Sequence, residues 1–223
     1  MCRNSKTAVL LFAESVDRQA KEKSLLTDSS KNFALLRNLT KNSLKAAQNS
    51  GLDVVHFDER KQEGATFGAR ITSSIQYVFD LGYDHVIVIG SDCPDLRARD
   101  IRHIAAQLER GGVVLGPDYH GGVYALGLAR SSFEASLFQS LPWQTGSLKS
   151  SLVEYAKRSN TLIFWLNKKA DLNHIEDTEA LLSFSHALRS ILERLENSLV
   201  RLLDRERITP QPLSNLAIDS RGP

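Results

Sequence analysis

The segment from His85 to Leu96 constrains the fold of this chain more than any other, and it reads HVIVIGSDCPDL. The β-branched run Val86–Ile89 predicts a strand that is buried on both faces. A Gly/Pro turn that carries Asp92 and Asp95 follows it directly, and open α/β sheets bind ligands beyond the carboxyl ends of their strands. The two carboxylates indicate either a site for a divalent cation and phosphate or caps for the next helix. Asp95 suits the cap better, and Asp92 suits the functional role better.

A second glycine-rich segment covers residues 112–128 and reads GVVLGPDYHGGVYALGL. It predicts a short strand over Val113–Leu115, a loop over Asp118–Gly122 and another strand over Val123–Leu128. Gly121 and Gly122 permit a positive φ and a close approach of backbone to ligand. A hairpin loop would use glycines as well, so this motif gains its meaning from its combination with the Asp92 segment.

Predicted strands and helices alternate along the chain, which indicates an α/β fold with a mostly parallel sheet and right-handed crossovers. The predicted strands are Thr7–Ala13, Val54–Phe57, Val86–Ile89, Val113–Leu115, Val123–Leu128 and Thr161–Leu166. The predicted helices are Ser30–Ser50, Ala69–Leu81, Arg99–Arg110, Phe133–Ser140 and Ser147–Ser159.

Five short motifs follow one another along the chain: LLFA from Leu10, QxGxxFGxR from Gln62, GSDCPDL from Gly90, GP with GGxYxxGL from Gly116, and LF with Trp143 from Leu137. Together they resemble the motifs of the radical-SAM/selenodomain-associated transferases. This bacterial family is close to nucleotidyltransferases such as the molybdenum-cofactor guanylyltransferase, and the resemblance covers Thr7 to Leu182. It implies a glycosyltransferase-A-like three-layer sandwich of the nucleotide-diphospho-sugar transferase superfamily, with a nucleotide or nucleotide-sugar as the ligand.

The resemblance also implies binding roles for ten residues, and it leaves the catalytic residues unassigned. The residues expected to bind the nucleotide or its phosphates are Lys21, Lys23, Gln62, Gly64, Arg70, Gly121 and Gly122. The residues expected at a divalent cation, Mg²⁺ or Mn²⁺, are Asp92, His120 and Asn173. Arg70 could instead be a solvated helix residue, and His120 could be structural.

The chain departs from the family pattern at the places where phosphate and metal would bind. Residues 14–25 lack the usual Pro/Gly turn and have Ser24 where an arginine is expected. His120 stands for the first residue of Asp-Gly-Gly, and Asn173 for the second aspartate of the Asp-x-Asp that begins at Asp171. Because Mg²⁺ prefers carboxylate and water oxygens, these changes predict weak Mg²⁺ binding.

Two hypotheses about function follow. The first is a glycosyltransferase-like or nucleotidyltransferase-like protein in which a metal at Asp92 neutralises the leaving diphosphate. The second is a catalytically inactive family member that serves in binding or assembly. Cys93 follows Asp92, but no base partner is evident in the sequence, so we interpret it as a small residue in a tight turn.

Composition excludes several classes of protein. The net charge is +2 with acidic and basic residues interspersed, which predicts no nucleic-acid-binding face. The two cysteines, Cys2 and Cys93, cannot build a disulfide framework, and a reduced cytoplasm fits them. No apolar run approaches the ~18 residues of a membrane span. The expectation is a soluble cytoplasmic protein without membrane contacts.

The C-terminal part carries a heptad repeat of Leu181, Leu188, Leu195 and Leu202. We predict a main domain over residues 1–178, an amphipathic helix over 179–206 and a flexible tail over 207–223. Asp177-Thr178-Glu179 offers an N-cap for that helix. The leucine face could join two copies in a coiled-coil homodimer or pack on its own domain, and both alternatives stay open.

Overall fold

Six strands form one sheet in the computed structural model, which describes residues 6–182. The sheet order is β2-β1-β3-β5-β4-β6. The strands are β1 (Thr7–Phe12), β2 (Asp53–Phe57), β3 (His85–Ile89), β4 (Val113–Pro117), β5 (Val123–Ala129) and β6 (Ile163–Trp165). Parallel pairs join β1 to β2 and β3, and β4 to β6, whereas β5 runs antiparallel to β3 and β4. The mostly parallel sheet is therefore confirmed, with β5 reversed because a short loop joins it to β4.

Seven α-helices complete the described part of the chain. They are α1 (Val16–Glu22), α2 (Ser29–Gln48), α3 (Phe67–Asp80), α4 (Ala98–Leu108), α5 (Ala135–Gln139), α6 (Leu148–Arg158) and α7 (Ile175–Leu182). Asp28 caps α2 by accepting from the Lys31 N–H, and Thr66 caps α3 by accepting from the Ala69 N–H. The predicted helices from Ser30 to Ser159 are all present, and α1 is an additional helix that sequence patterning did not predict.

The two faces of the sheet are covered by different helices, so the predicted three layers are observed. Alternate residues of β1 divide between the faces, as a strand's period of two requires. Leu10 packs in one core with side chains of α3, α5 and α6. Leu11 packs in the other core with side chains of α2 and α4. A third, smaller core contains Leu172, which is fully buried with Leu25, Leu35, Leu36 and Leu39.

The burial of Leu172 brings the segment 171–173 to the end of the central strand. The Leu172 N–H donates to the backbone carbonyl oxygen of Asp92 at 2.9 Å. Polar residues at 171 and 173 therefore lie beside the turn that follows β3, although they are about eighty residues away in sequence.

Among residues 6–182, no helix combines the length and the apolar character needed to cross a membrane. The predicted amphipathic helix at 179–206 overlaps the end of α7, but from residue 183 onward it lies outside the described residues. The predicted tail at 207–223 lies outside them as well.

Candidate functional site

A cleft of about 1020 Å³ opens at the carboxyl ends of β1 and β3. The loop over residues 118–122 and the segment over residues 143–146 contribute to its walls. The volume is of the size typical of small-molecule sites, roughly 300–1,000 Å³. A second cavity of about 580 Å³ lies beside Trp165 of the edge strand β6, and its one acidic residue, Glu154, is paired with Lys157. The concentration of ionisable groups marks the first cleft as the candidate site.

Lys23 lies between two of the residues that the sequence assigned to a metal. Its Nζ donates to Asp92 Oδ2 at 2.6 Å and to Asn173 Oδ1 at 3.0 Å. About a quarter of each of the Lys23 and Asp92 side chains is exposed. Burial lowers the pKa of Lys23, but the charge and hydrogen bond of Asp92 outweigh burial, and the net shift of this pKa is upward. Burial likewise raises the pKa of Asp92, and Lys23 reverses that effect, so both groups are held in their charged forms.

Asp171 is the second carboxyl of the cleft floor. Its Oδ2 accepts from Asn173 Nδ2 at 3.0 Å, whereas its buried Oδ1 has no hydrogen-bond partner in the described chain. Burial, followed by the charge of Asp92, raises the pKa of Asp171 well above its ordinary value. Two carboxyl groups whose surroundings move their pKa values in opposite directions are typical of sites that bind or transfer charge.

The loop over residues 118–122 is folded around a buried carboxylate. Asp118 Oδ1 accepts from the backbone N–H groups of His120 at 2.7 Å and Gly122 at 2.8 Å. Gly121 has a φ of +88°, and a Cβ at that position would lie 2.1 Å from the Gly146 carbonyl oxygen. The glycine is therefore required by the contact between the two wall segments as well as by its backbone conformation.

His120 contacts the start of α7. Its Nε2 lies 2.8 Å from Asp177 Oδ1, and Asp177 Oδ2 accepts from the backbone N–H groups of Asn173 and His174. Burial raises the pKa of Asp177, but these hydrogen bonds and His120 outweigh burial and lower it. Asp177 thus connects the predicted metal residue His120 to the segment that carries Asn173.

The remaining predicted residues divide into two groups. Lys23, Gln62, Arg70 and Gly122 line the cleft, whereas Lys21, Gly64 and Gly121 are not among the residues that line it. Lys21 is exposed on α1. Gly64 has a φ of +136° and lies against the first turn of α3. A Cβ added at Gly64 would lie 2.9 Å from the backbone nitrogen of Arg70. The roles of all seven in nucleotide binding stay predictions.

Arg70 is a cation of the cleft whose side chain has a donor without a partner among the described residues. Its buried Nε has no hydrogen-bond partner among the described residues, and its guanidinium carbon lies 6.0 Å from the ring centroid of Phe67. Arg18, which also lines the cleft, has its Nε 3.3 Å from Glu14 Oε1 and 3.1 Å from Glu22 Oε1. Arg70 is therefore better placed than Arg18 to accept an anionic ligand.

Two other residues near the site have structural roles. Trp143 donates from Nε1 to the Phe138 carbonyl oxygen and packs against the Phe67 and Phe138 rings. Cys93 is 3% exposed, and burial raises the pKa of its thiol. Cys93 is a core residue rather than a nucleophile, in agreement with the sequence interpretation.

The sequence reasoning did not assign Asp118, Asp171 or Asp177 to the site. Asp118 follows Gly116-Pro117 directly, and Asp171 begins the motif that was compared with Asp-x-Asp, so both positions had a local signal. Asp177 was interpreted as a helix cap, and its contact with His120 has no signal in the spacing.

The described residues do not fit a divalent cation as they are arranged. No group of three or more His, Cys, Asp or Glu within residues 6–182 could hold a metal ion. Asp92 and Asn173 share the Lys23 ammonium, and His120 is bound to Asp177. An ammonium in direct contact with Asp92 takes the place of a cation and would repel another one.

The fold resembles that of a solved structure whose protein is provisionally named a nucleotide-diphospho-sugar transferase. The chain is similar to the crystal structure of a provisionally named nucleotide-diphospho-sugar transferase from Desulfovibrio desulfuricans G20, with a TM-score of 0.74 and 22% identity over 89% of this chain and 98% of that chain. A homologue of Rv0371c from Mycobacterium sp. strain JC1 follows with a TM-score of 0.49 and 15% identity, over 84% and 97%. A nucleotidyl transferase from Methanothermobacter has a TM-score of 0.45 and 18% identity, over 84% and 100%. Of the three, the first is close enough to define the fold.

The chain belongs to the DUF2064 family, described as uncharacterized proteins conserved in bacteria, which matches residues 9–145. No curated protein matches the chain. The predicted α/β fold with a mostly parallel sheet is thus confirmed for the described residues, and the glycosyltransferase-A-like assignment within it stays a prediction.

Proposed function

We propose that this protein binds a nucleotide or nucleotide-sugar in the cleft beside Asp92 and transfers its glycosyl or nucleotidyl group. The observation that carries the proposal is the buried Asp171 carboxyl beside the Lys23–Asp92 ion pair. A buried carboxyl with an unpartnered oxygen costs stability, and such groups are concentrated at functional sites. The fold supports the same proposal, since the solved structure with a TM-score of 0.74 is provisionally named a nucleotide-diphospho-sugar transferase.

The charges of the cleft suit a bound diphosphate. Lys23 and Arg70 line the cleft and supply positive charge that would attract phosphate oxygens. During transfer, the negative charge that develops on the leaving phosphate would be stabilised by the Lys23 ammonium. Asp171, whose pKa is raised, can accept the proton of an attacking hydroxyl only in its ionised form.

Several narrower predictions extend this proposal. They are the association with radical-SAM/selenodomain systems and a cytoplasmic location, whereas the predicted Mg²⁺ or Mn²⁺ at Asp92 does not fit the described residues. The alternative is a catalytically inactive binding or assembly protein, and the Lys23 ammonium at the predicted metal position favours it. Product detection by phosphorus NMR separates the two: a transferase or its slow hydrolysis changes the nucleotide-sugar, and a pure binder leaves it intact.

A binding panel tests the proposal directly. Nucleoside diphosphates, triphosphates and nucleotide-sugars would be screened by thermal shift, and positive ligands would be titrated by calorimetry. We expect Arg70→Gln to weaken binding about tenfold, because a hydrogen bond to a charged group is worth about 1.5–3 kcal/mol. Arg99→Gln, an exposed change on α4, is the matched control. A panel without any ligand, or an affinity unchanged in Arg70→Gln, would contradict the proposal.

A further inference from the structure

The Lys23 ammonium has one donor left after its contacts within the chain. An ammonium carries three N–H bonds. Asp92 Oδ2 and Asn173 Oδ1 accept two of them, at 2.6 Å and 3.0 Å. Because Lys23 lines the cleft and is about a quarter exposed, the third N–H is available to a ligand in the cleft.

The backbone holds Lys23 at this position. Its N–H donates to the Gln19 carbonyl oxygen at the end of α1, and its carbonyl oxygen accepts from Asn32 Nδ2 at 2.8 Å. Asn32 is 4% exposed, and its Oδ1 also accepts from the N–H groups of Leu25 and Leu26. The backbone of Lys23 is therefore held by hydrogen bonds in the turn between α1 and α2, whereas Lys21 is exposed on α1.

Asp92 and Asn173 together carry the charge that a single monovalent cation, the Lys23 ammonium, can balance. Asp92 is ionised and Lys23 is protonated, so the pair is neutral, and Asn173 contributes an oxygen without charge. A divalent cation at these oxygens would have to displace or repel the ammonium at a distance where like charges cost several kcal/mol. An aspartate at residue 173 would add a negative charge that one ammonium could not balance. The asparagine at 173 and the lysine at 23 are thus complementary, although they lie 150 positions apart.

We propose that Lys23 is the resident cation of this site and lets the protein bind the diphosphate of a nucleotide or nucleotide-sugar without a divalent metal. This inference rests on the proposed function for its ligand. Two donors of the ammonium hold it on Asp92 and Asn173, and the third binds an oxygen of the diphosphate. Removal of the ammonium exposes Asp92, Asp171 and Asn173 as oxygen ligands, which is the donor set that hard divalent cations prefer.

Direct titration with Mn²⁺ tests the cation without any nucleotide. The free Mn²⁺ signal in electron paramagnetic resonance would be followed for wild type, Lys23→Ala and the exposed control Lys21→Ala. We expect Lys23→Ala to bind one Mn²⁺ at least about tenfold more tightly than wild type, since a like charge has been removed from the site. Lys21→Ala should match wild type, and Lys23→Ala with Asp92→Asn should lose the new site. Equal Mn²⁺ affinity in wild type and Lys23→Ala would overturn the inference.

Lys23→Arg keeps the inference testable if Lys23→Ala fails to fold. The arginine retains the positive charge, so that variant should bind Mn²⁺ as weakly as wild type. Lys23→Gln, which keeps a polar side chain that is slightly shorter and has no charge, should bind Mn²⁺ more tightly than Lys23→Arg. Circular dichroism spectra of the two variants would verify their folding, and equal Mn²⁺ affinities would count against a resident cation.

Nucleotide titrations then separate this inference from the proposed function. For a ligand found in the panel, the wild-type affinity should be the same with EDTA and with excess Mg²⁺. Binding that requires Mg²⁺ would refute the resident cation while leaving the proposed function intact. If no nucleotide binds but the Mn²⁺ titrations give the expected result, the proposed function and the diphosphate ligand would be refuted. The role of Lys23 as the resident cation would still stand.

Discussion

Asp171 illustrates how a single residue of the cleft can lower the stability of the folded protein. Its carboxyl is buried beside the Asp92 charge, and one of its oxygens has no partner among the described residues. A group whose pKa is raised on folding contributes stability at low pH and loses it as the pH rises through the folded-state pKa. A carboxylate at this position therefore destabilises the fold in neutral and alkaline solution.

We predict that Asp171→Asn raises the melting temperature at pH 8. The amide has the same shape and no charge to bury, and a gain of about 1 kcal/mol would correspond to about 2–4 °C for a domain of this size. Differential scanning calorimetry at pH 8 and pH 4 measures the effect, which should shrink in acid where the wild-type carboxyl is protonated. Asp95→Asn, in the turn that follows β3 but not among the cleft-lining residues, is the control. A lower melting temperature at pH 8 would show that Asp171 supports the fold instead.

At the residue scale, the sequence predicted the participants of the site better than their contacts. Lys23, Asp92 and Asn173 were all named from short motifs. Their mutual contact was not predicted, because Lys23 lies 69 positions from Asp92 and 150 from Asn173. Spacing within a motif carries no information about which side chain fills the space between two distant motifs.

At the scale of elements, the two wall segments of the cleft depend on close backbone approach at Gly121. We predict that Gly121→Ala weakens ligand binding and lowers stability more than Gly51→Ala does. Both glycines have a positive φ, +88° and +83°, so both changes carry a backbone cost of roughly 1–2 kcal/mol. A Cβ at Gly121 also meets the Gly146 carbonyl oxygen, whereas one at Gly51 meets nothing within 4 Å. Urea unfolding and calorimetric titration compare the variants, and equal losses in both would contradict the role assigned to the contact.

Two strand histidines give the sheet a predicted dependence on pH. Burial lowers the pKa of His56 on β2 and of His85 on β3. The unfolded chain then binds protons more readily than the folded chain as the pH falls below about 6.5. Their contribution to stability is therefore present above that pH and is lost as the pH falls toward the lowered folded-state values.

We predict that His56→Gln with His85→Gln reduces the loss of stability between pH 7.5 and pH 5. Free energies of unfolding from urea titrations at the two pH values measure this loss in wild type and in the double variant. The carboxylates that titrate in this range are the same in the two proteins, so their contribution cancels in the comparison. His103→Gln, an exposed change on α4, controls for the removal of a histidine. An equal fall in the double variant and in wild type would show that these rings do not carry the effect.

The elements that the sequence predicted are those with apolar periodicity. The strands from β1 to β6 and the helices α2 to α6 place apolar residues in or against the cores, and the patterning located them to within a few residues. Helix α1 was missed because its one buried residue is Gln19, which accepts a hydrogen bond from Ser91 at 3.3 Å. A helix held by polar contacts leaves no hydrophobic signal. The reversed direction of β5 was not predicted either, since strand patterning does not encode direction.

At the scale of the whole molecule, the described cores and the cleft are built from residues that precede the heptad leucines. The buried members of the three apolar clusters lie between Ala8 and Leu172. The heptad leucines from Leu188 onward lie outside the described residues, so the homodimer and the packed helix both stay predictions. The cleft is lined by residues between Phe12 and Glu176.

We predict that Leu195→Glu with Leu202→Glu leaves the ligand affinity and the cooperative unfolding of the cleft-bearing domain unchanged. The described cores and the cleft are built from residues up to 176, and charges on a predicted leucine face interrupt only what that face covers. Light scattering of both proteins at micromolar concentration adds the oligomeric state. A wild-type dimer that becomes a monomer in the variant would assign the face to a second copy, and a wild-type monomer would refute the homodimer.

Arg189→Glu with Arg201→Glu, outside the leucine repeat, is the control for added negative charge. A large drop in the melting temperature of the leucine variant, but not of this control, would show that the face packs on its own domain and would contradict the prediction.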